Sequence, residues 1–254
     1  MIDDFRSECA AAYERLSAGA ALLDLSLTGE QEARYVTYCA RLLETNRRTN
    51  LTAIRDATGV MTTLFLDSLT LLPAIRDRLD LTAPLRVVDV GAGAGFPSLP
   101  LEILFPHWDL TLVESVGKKA AFLRQVAAEL GLNRVTVLNS RAETAVSPGL
   151  RDSADLCLAR AVSALPSLVE LCAPFVRPGG ILLFPKSGAI EKEIRASDPA
   201  AARLGCRLSG VVPVSDSLHL GEGRVLIVYD KVRSTPAAFP RRVGLAQSQP
   251  ISAD

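Results

Sequence analysis

The chain has 254 residues, with 28 lysines and arginines against 28 aspartates and glutamates, so its formal charge is zero. Hydrophobic residues make up 48 % and charged residues 22 %, a globular composition that excludes a disordered, collagenous or coiled-coil chain. Because the net charge offers no general attraction to phosphate, a nucleic-acid partner would need a local basic patch.

The N-terminus carries acids where a signal peptide would carry lysine or arginine, and no apolar stretch follows it. The most apolar segment, residues 85–105, is interrupted by charged residues, glycines and prolines, which argues against a membrane span. Five cysteines lie far apart without a C-x-x-C pair, and two histidines are too few for a histidine-rich metal site. We therefore expect reduced cysteines, a cytoplasmic protein, and neither membrane nor metal as a partner.

Residues 1–81 have a helical pattern and form the first predicted unit, a helical N-terminal segment. The first helix is expected over residues 4–16. A second begins after Thr28, an N-cap candidate with Gln31 at the capping-box position. A third is expected over residues 58–79.

From residue 82 short β-branched runs alternate with longer helical runs, which is typical of βαβ units. The predicted strands cover residues 85–90, 110–114, 134–138, 156–159, 181–185, 210–214 and 224–229. The predicted helices between them include residues 118–130, 165–175 and 191–204. The last two strands follow each other without a helix, so we expect an antiparallel pair at one edge of a mainly parallel sheet. This second unit, residues 82–254, ends in an irregular tail from about residue 235.

The strongest local signal is a glycine-rich turn that follows the first predicted strand, D-V-G-A-G-A-G-F-P, beginning at Asp89. Gly91 and Gly93 let the backbone approach a ligand closely. The spacing differs from the G-x-G-x-x-G of folds that bind a pyrophosphate. Asp89 would repel a pyrophosphate but attract the ammonium of an amino-acid-bearing cofactor such as S-adenosylmethionine. A tight turn without any ligand is the alternative.

Three charged residues follow other predicted strands, at the sheet edge where open α/β folds bind ligands. Glu114 could accept hydrogen bonds from two ribose hydroxyls, or be a solvated residue or helix N-cap. Arg160 could pair with a carboxylate of cofactor or substrate, or form a structural ion pair. Lys186 could reach a phosphate or lie on the surface.

A wider pattern runs along nearly the whole chain. Its segments are residues 50–54, 66–69, 89–101, 114–115, 118–119, 122–123, 140–143, 159–161 and 239–244. This pattern resembles the glucose-inhibited division protein B family, bacterial methyltransferases that modify a guanine N7 in 16S ribosomal RNA. Three features depart from the family: Leu64 replaces a frequent histidine, Ser98 replaces a common glycine, and Ser187 separates Lys186 from Gly188.

The resemblance implies a Rossmann-like class I methyltransferase fold with S-adenosylmethionine as cofactor and 16S ribosomal RNA, or a small-subunit precursor, as partner. It implies that the cofactor site is lined by Gly91, Gly93, Phe96, Glu114, Ala142, Glu143 and Arg160, to which the ammonium argument adds Asp89. Guanine N7 has a free lone pair, so positioning replaces an obligate base and no catalytic acid, base or metal is expected. Candidates for contacts with RNA phosphates are Arg47, Arg48, Arg55, Lys186, Arg241 and Arg242.

Two other functions are compatible with the same residues. A methyltransferase acting on a small molecule or another RNA would share every cofactor residue and lose only the phosphate contacts. A non-catalytic regulator would bind the cofactor without transferring its methyl group. Ribosomal RNA binding and methyl transfer separate these alternatives.

Overall fold

The computed structural model describes residues 2–160 and 162–252. Within them, seven strands form one sheet in the order β3-β2-β1-β4-β5-β7-β6. The strands are β1 (Arg86–Val90), β2 (Asp109–Val113), β3 (Val135–Leu138), β4 (Ala154–Leu158), β5 (Val176–Ser187), β6 (Cys206–Pro213) and β7 (Arg224–Lys231). Strands β1 to β5 pair in parallel, whereas β7 is antiparallel to both β5 and β6. The predicted α/β sheet with an antiparallel pair at one edge is confirmed.

Helices cover both faces of this sheet. They are α1 (Ile2–Ala21), α2 (Gly29–Asn46), α3 (Ala57–Gly59), α4 (Asp67–Leu69), α5 (Leu72–Arg76), α6 (Ser98–Leu104), α7 (Gly117–Glu129), α8 (Ala142–Ala145), α9 (Leu165–Cys172), α10 (Glu191–Leu204) and α11 (Leu245–Ser248). A π-helical turn, Val60–Leu66, joins α3 to α4, and 3-10 turns cover Ala173–Phe175 and Asp216–Leu218.

Alternate strand residues point to opposite faces and build two separate cores. On β5, Ile181 and Leu183 join the core beneath the N-terminal helices, α6 and α7. Leu182 and Phe184 join the core beneath α9 and α10. The strands read as continuous apolar runs because both faces of the sheet are covered.

The start of α2 has the predicted capping box. Gln31 N donates to Thr28 Oγ1 at 3.3 Å, and Thr28 N donates to Gln31 Oε1 at 2.9 Å. Two backbone donors at the helix start are thereby satisfied, which fixes where the helix begins.

The predicted third helix, residues 58–79, is wrong as one continuous α-helix. Hydroxyls of Thr62, Ser68 and Thr70 donate to main-chain carbonyls three or four residues back, a pattern that competes with regular helical bonding. Pro73, in the first turn of α5, has no N–H to continue the preceding turn. The segment is therefore divided into α3, the π-helical turn, α4 and α5.

The same segment, Ala57–Arg76, is the one described helical stretch long and apolar enough to cross a membrane by length and composition. Yet 72 % of its most apolar window is buried inside the protein. Met61, Phe65 and Leu69 are fully covered by neighbouring elements. Its apolar character is therefore explained by its place in the core.

The expectation that all cysteines are reduced is wrong for one pair, because Cys9 of α1 and Cys39 of α2 form a disulfide with their Cα atoms 6.1 Å apart. Packing of α1 against α2 brings together residues that sequence spacing leaves far apart. Cys157, Cys172 and Cys206 are buried thiols.

The tail beyond residue 235 is irregular apart from α11, which packs against α9, and Phe239, Ala246 and Ile251 are buried. The division of the chain at residues 81 and 82 stays a prediction. The first core is continuous from Cys9 to Val228 and so includes both predicted units.

Candidate cofactor and RNA site

The glycine turn leaves β1 at the carboxyl edge of the sheet, where Gly91 N donates to Val113 O at 2.8 Å. Gly91 and Gly93 have φ values of +73° and +61°, in the region that favours glycine. A Cβ on Gly91 would lie 2.6 Å from Val162 Cγ2, whereas a Cβ on Gly93 would meet nothing closer than Gly91 O at 3.8 Å. A side chain at position 91 would therefore clash with Val162 and disfavour the positive φ, whereas open space lies beside Gly93.

Glu114 ties the end of β2 to this turn. Its Oε2 accepts from Gly93 N at 2.8 Å and its Oε1 from Val116 N at 2.7 Å, and the side chain is buried. A carboxylate has about four lone-pair positions, so each oxygen can accept one further hydrogen bond. The carboxylate is thus held in place with capacity left for a ligand hydroxyl.

Asp89 lies fully buried behind the turn. Ser98 Oγ donates to Asp89 Oδ2 at 2.5 Å, while Oδ1 has no hydrogen-bond partner among the described residues. Burial raises the pKa of Asp89 to about 7, against the hydrogen bond from Ser98 and the charge of Arg160, which lower it. Ser98, a departure from the family pattern, thus serves as a donor to this carboxyl.

Two adjoining cavities meet at Gly91 and Val162. The turn cavity, about 290 Å³, is lined by Gly91, Gly93, Phe96, Glu114 and Arg160 among others. The tail cavity, about 190 Å³, is lined by Gly91, Ala142 and Glu143, and by Val243, Gly244 and Gln247 of the C-terminal tail. The structure therefore brings together every predicted cofactor residue except Asp89, which lines neither cavity. The direct contact of Asp89 with an ammonium stays a prediction.

Arg160 faces the turn cavity with two partners. Its Nη1 lies 2.8 Å from Asp67 Oδ2, and its guanidinium carbon lies 5.4 Å from the centre of the Phe96 ring. Burial lowers the pKa of Arg160, and the carboxylate of Asp67 opposes that shift. The structural ion pair that was the alternative for Arg160 is therefore present, and Arg160 also lines the turn cavity, so its contact with a cofactor carboxylate stays a prediction.

Sequence reasoning gave no role to Arg224, the second partner of Asp67. Arg224 Nη1 forms a short hydrogen bond to Asp67 Oδ1, so one buried carboxylate lies between two arginines. Together with Lys186 and Glu193 these residues line a third cavity of about 450 Å³, the arginine cavity, which shares Leu64 and Arg160 with the turn cavity. Asp67 lies within the family-like segment 66–69, which was the available signal.

Asn46 is a second residue that sequence reasoning missed. Buried at the end of α2, it accepts from Leu51 N and Thr52 N through Oδ1, at 2.9 and 3.1 Å, and donates to Thr52 O and Ile54 O. It thereby shapes the loop that contributes Leu51 and Thr52 to the turn cavity. The family-like segment 50–54 is positioned by this asparagine.

The basic residues proposed for RNA differ in their surroundings. Arg47, Arg48 and Arg242 are exposed, and Arg47 stacks 4.6 Å from the centre of the Phe5 ring. Arg47 and Arg48 line a surface cavity of about 540 Å³.

The other three bind other groups of the protein. Arg55 donates to Asn46 O and Asn50 Oδ1. Lys186 Nζ lies 2.7 Å from Glu193 Oε1, and Arg241 binds the buried Glu170 through two nitrogens, at 2.6 and 2.5 Å. Phosphate contacts by all six stay predictions. Ala161, in the family-like segment 159–161, lies outside the described residues.

The sequence profile of the rRNA small subunit methyltransferase G family, GidB, matches residues 31–220. Ribosomal RNA small subunit methyltransferase G of Roseiflexus castenholzii is 45 % identical over 228 residues, which cover 89 % of this chain and 94 % of that protein. The protein of the same name from Geobacillus thermodenitrificans is 39 % identical over 228 residues, with the same two coverages.

Solved structures agree on the fold alone. A SAM-dependent methyltransferase from Aquifex aeolicus has a TM-score of 0.50 at 18 % identity and covers 68 % of this chain and 93 % of its own. The StiE O-MT fragment has a TM-score of 0.52 at 20 % identity, with coverages of 64 % and 73 %. Both the profile match and the two curated relatives extend over most of the sequence, and the chain belongs to the rRNA small subunit methyltransferase G family.

Proposed function

We propose that this methyltransferase transfers a methyl group from S-adenosylmethionine to N7 of a guanine in 16S ribosomal RNA, as naked RNA or within a small-subunit precursor. The observation that carries the proposal is the meeting of the turn and tail cavities at Gly91, beside Glu114, with the arginine cavity adjoining them. An elongated cofactor and an acceptor base can thus occupy neighbouring spaces.

The residues present fit the cofactor. Glu114 would accept from the ribose hydroxyls with the lone pairs that Gly93 N and Val116 N leave free. Arg160 would pair with the carboxylate of the methionyl part. Among the described residues the Oδ1 of buried Asp89 has no hydrogen-bond partner, and a water bound with the cofactor would satisfy it, since Asp89 itself lines neither cavity. When bound, the cofactor supplies an electrophilic methyl group next to a positively charged sulfur.

The protein positions the acceptor base rather than removing a proton from it. Guanine N7 carries a lone pair and no proton, so in-line displacement needs alignment and no general base. The acids around the cavities are already engaged as hydrogen-bond acceptors: Asp67 by two arginines, Glu114 by two backbone amides, and Glu193 by Lys186 and Leu165 N. Donors at these carboxylates stabilise their charged form and make them weaker bases, which favours a site without an obligate general base.

The arginine cavity is the proposed entrance for the nucleotide. Arg160 and Arg224 share the single carboxylate of Asp67, which leaves local positive charge beside the turn cavity. Exposed Arg47, Arg48 and Arg242 would add phosphate contacts farther out, where sequence-independent affinity arises. We place the enzyme in the cytoplasm, where ribosomal subunits are assembled.

The decisive experiment maps N7-methylguanine in 16S ribosomal RNA from cells with and without the gene. We expect one modified guanine to lose its methyl group in the deletion strain and to regain it with the wild-type gene. Complementation with Gly91→Val should fail. An unchanged map, with labelled methyl transferred by the purified enzyme to small molecules only, would contradict the proposal.

A further inference from the structure

The C-terminal tail forms one wall of the tail cavity. Val243, Gly244 and Gln247 line it together with Ala142 and Glu143. The remaining lining includes the apolar Val90, Val113 and Leu171, which suit a flat aromatic ring, beside polar residues such as Ser140 and Arg141. The wall therefore comes from residues far along the chain from the glycine turn.

The tail is held in this place by specific polar contacts. Arg241 donates from Nε to Glu170 Oε1 and from Nη2 to Glu170 Oε2 on α9, and the Glu170 side chain is 1 % exposed. Ser167 Oγ, also on α9, donates to Ala246 O at 2.7 Å. Gly244 N donates to Glu143 Oε1 at 2.8 Å. Glu143, expected from the family resemblance to line the cofactor site, thus connects the tail to α8.

Farther upstream, Arg151 fixes the start of the tail. Its guanidinium donates to Phe239 O at 2.7 Å, Thr235 O at 2.8 Å and Pro236 O at 3.0 Å. Phe239 is buried, and Arg203 lies 5.5 Å from the centre of its ring. The segment between Phe239 and Ser248 is therefore anchored at both ends and in its middle.

We propose that residues 239–248 build the purine subsite of the cofactor site, and that Arg241 is a positioning residue holding this wall through Glu170 rather than a phosphate contact. The inference rests on the cofactor placement of the proposed function. With the ribose at Glu114 and the methionyl part toward Arg160, the purine extends into the tail cavity, which begins at Ser115.

Removing Arg241 leaves Glu170 as an uncompensated buried charge, which strongly disfavours the docked tail. When the conformation with the docked tail is only partly populated, the apparent Kd for the cofactor equals the intrinsic Kd divided by that populated fraction. We expect Arg241→Ala to raise the Kd for S-adenosylhomocysteine at least about tenfold, and Arg241→Lys to be intermediate because lysine keeps the charge but loses the paired geometry. At saturating cofactor kcat should stay near the wild-type value, so KM changes more than kcat.

Arg242→Ala is the matched control, since Arg242 is adjacent, equally charged and exposed. It should leave the cofactor Kd unchanged. Equal cofactor affinity for Arg241→Ala and Arg242→Ala in folded protein would overturn the inference.

A second measurement uses the unmodified protein and needs no variant to fold. Hydrogen–deuterium exchange with and without saturating S-adenosylhomocysteine should slow in residues 91–96 and in residues 241–248 together. Protection of the turn alone would overturn the tail inference and leave the cofactor placement intact. Protection of neither segment would refute the placement itself and the tail inference with it.

Discussion

Replacing Glu114 tests whether the acid at the end of β2 recognises the cofactor. Glu114→Ala removes the acceptor for Gly93 N and Val116 N as well as the acceptor offered to the ribose. Loss of a hydrogen-bonded pair to a charged group weakens binding by about 1 to 3 kcal/mol. At about 1.4 kcal/mol for each factor of ten, the Kd should rise about 5- to 140-fold.

The Kd of Glu114→Gln should lie between those of the wild type and Glu114→Ala. Its amide oxygen replaces one acceptor, whereas its NH₂ group cannot accept from a backbone amide. Isothermal titration with S-adenosylhomocysteine measures the Kd, and circular dichroism checks folding. Asp109→Ala is the matched control: Asp109 lies at the opposite end of the same strand, half-exposed and paired with Arg134. If folded Glu114→Ala binds within about twofold of the wild type, or if Asp109→Ala loses as much affinity, the assignment of Glu114 is refuted.

Three further outcomes are expected. Gly91→Val should abolish cofactor binding in titrations of folded protein, since its side chain would meet Val162 at a positive φ of +73°; normal binding would make the turn purely structural. Burial raises the pKa of Glu102 to about 8, so stability should fall as pH rises from about 4.5 to 8. Urea unfolding measures the free energy of unfolding at pH 5 and pH 8, and its fall between the two should be about 3 kcal/mol smaller in Glu102→Gln than in the wild type. An identical pH dependence in the variant and the wild type would contradict this. Replacing both Arg47 and Arg48 with alanine should lower the log–log salt slope of RNA binding by up to about two units. Replacing both Arg241 and Arg242 should lower it by about one unit, because Arg241 is bound to Glu170. Equal slopes for the two double variants would show that Arg241 contacts RNA as the exposed arginines do.

Local chemistry explains most of the fold that could be predicted from sequence. The capping box at Thr28 and the alternation of apolar strands with helices depend on neighbouring residues only. The extended β5 was underestimated because Arg177-Pro178-Gly179-Gly180 is poor in strand-forming residues. A Cβ on Gly180 would lie 2.7 Å from Asp155 O, so this glycine permits close approach to β4.

The parts that sequence could not reveal depend on contacts between distant residues. The Cys9–Cys39 disulfide requires the packing of α1 on α2, and the two arginines around Asp67 come from β7 and from the second position after β4. The ion pair of Arg241 with Glu170 was equally hidden, because the two residues are 71 positions apart in the chain. Charge pattern alone does not distinguish an arginine directed at solvent from one directed at a buried carboxylate.

That distinction determines where a chain of zero net charge can attract RNA. Lys186 and Arg241 each lie within 3 Å of a carboxylate oxygen, at 2.7 and 2.5 Å, so their charges are largely compensated within the protein. Arg47 keeps its guanidinium exposed over Phe5, where a ring supports the cation without neutralising it. The exposed arginines at the end of α2 and the pair that shares Asp67 therefore keep positive charge that the protein does not fully compensate, and Lys119 and Arg141 add cationic side chains to the lining of the turn and tail cavities. RNA affinity should accordingly depend on few phosphate contacts, and recognition of the acceptor guanine on the shape of the adjoining cavities.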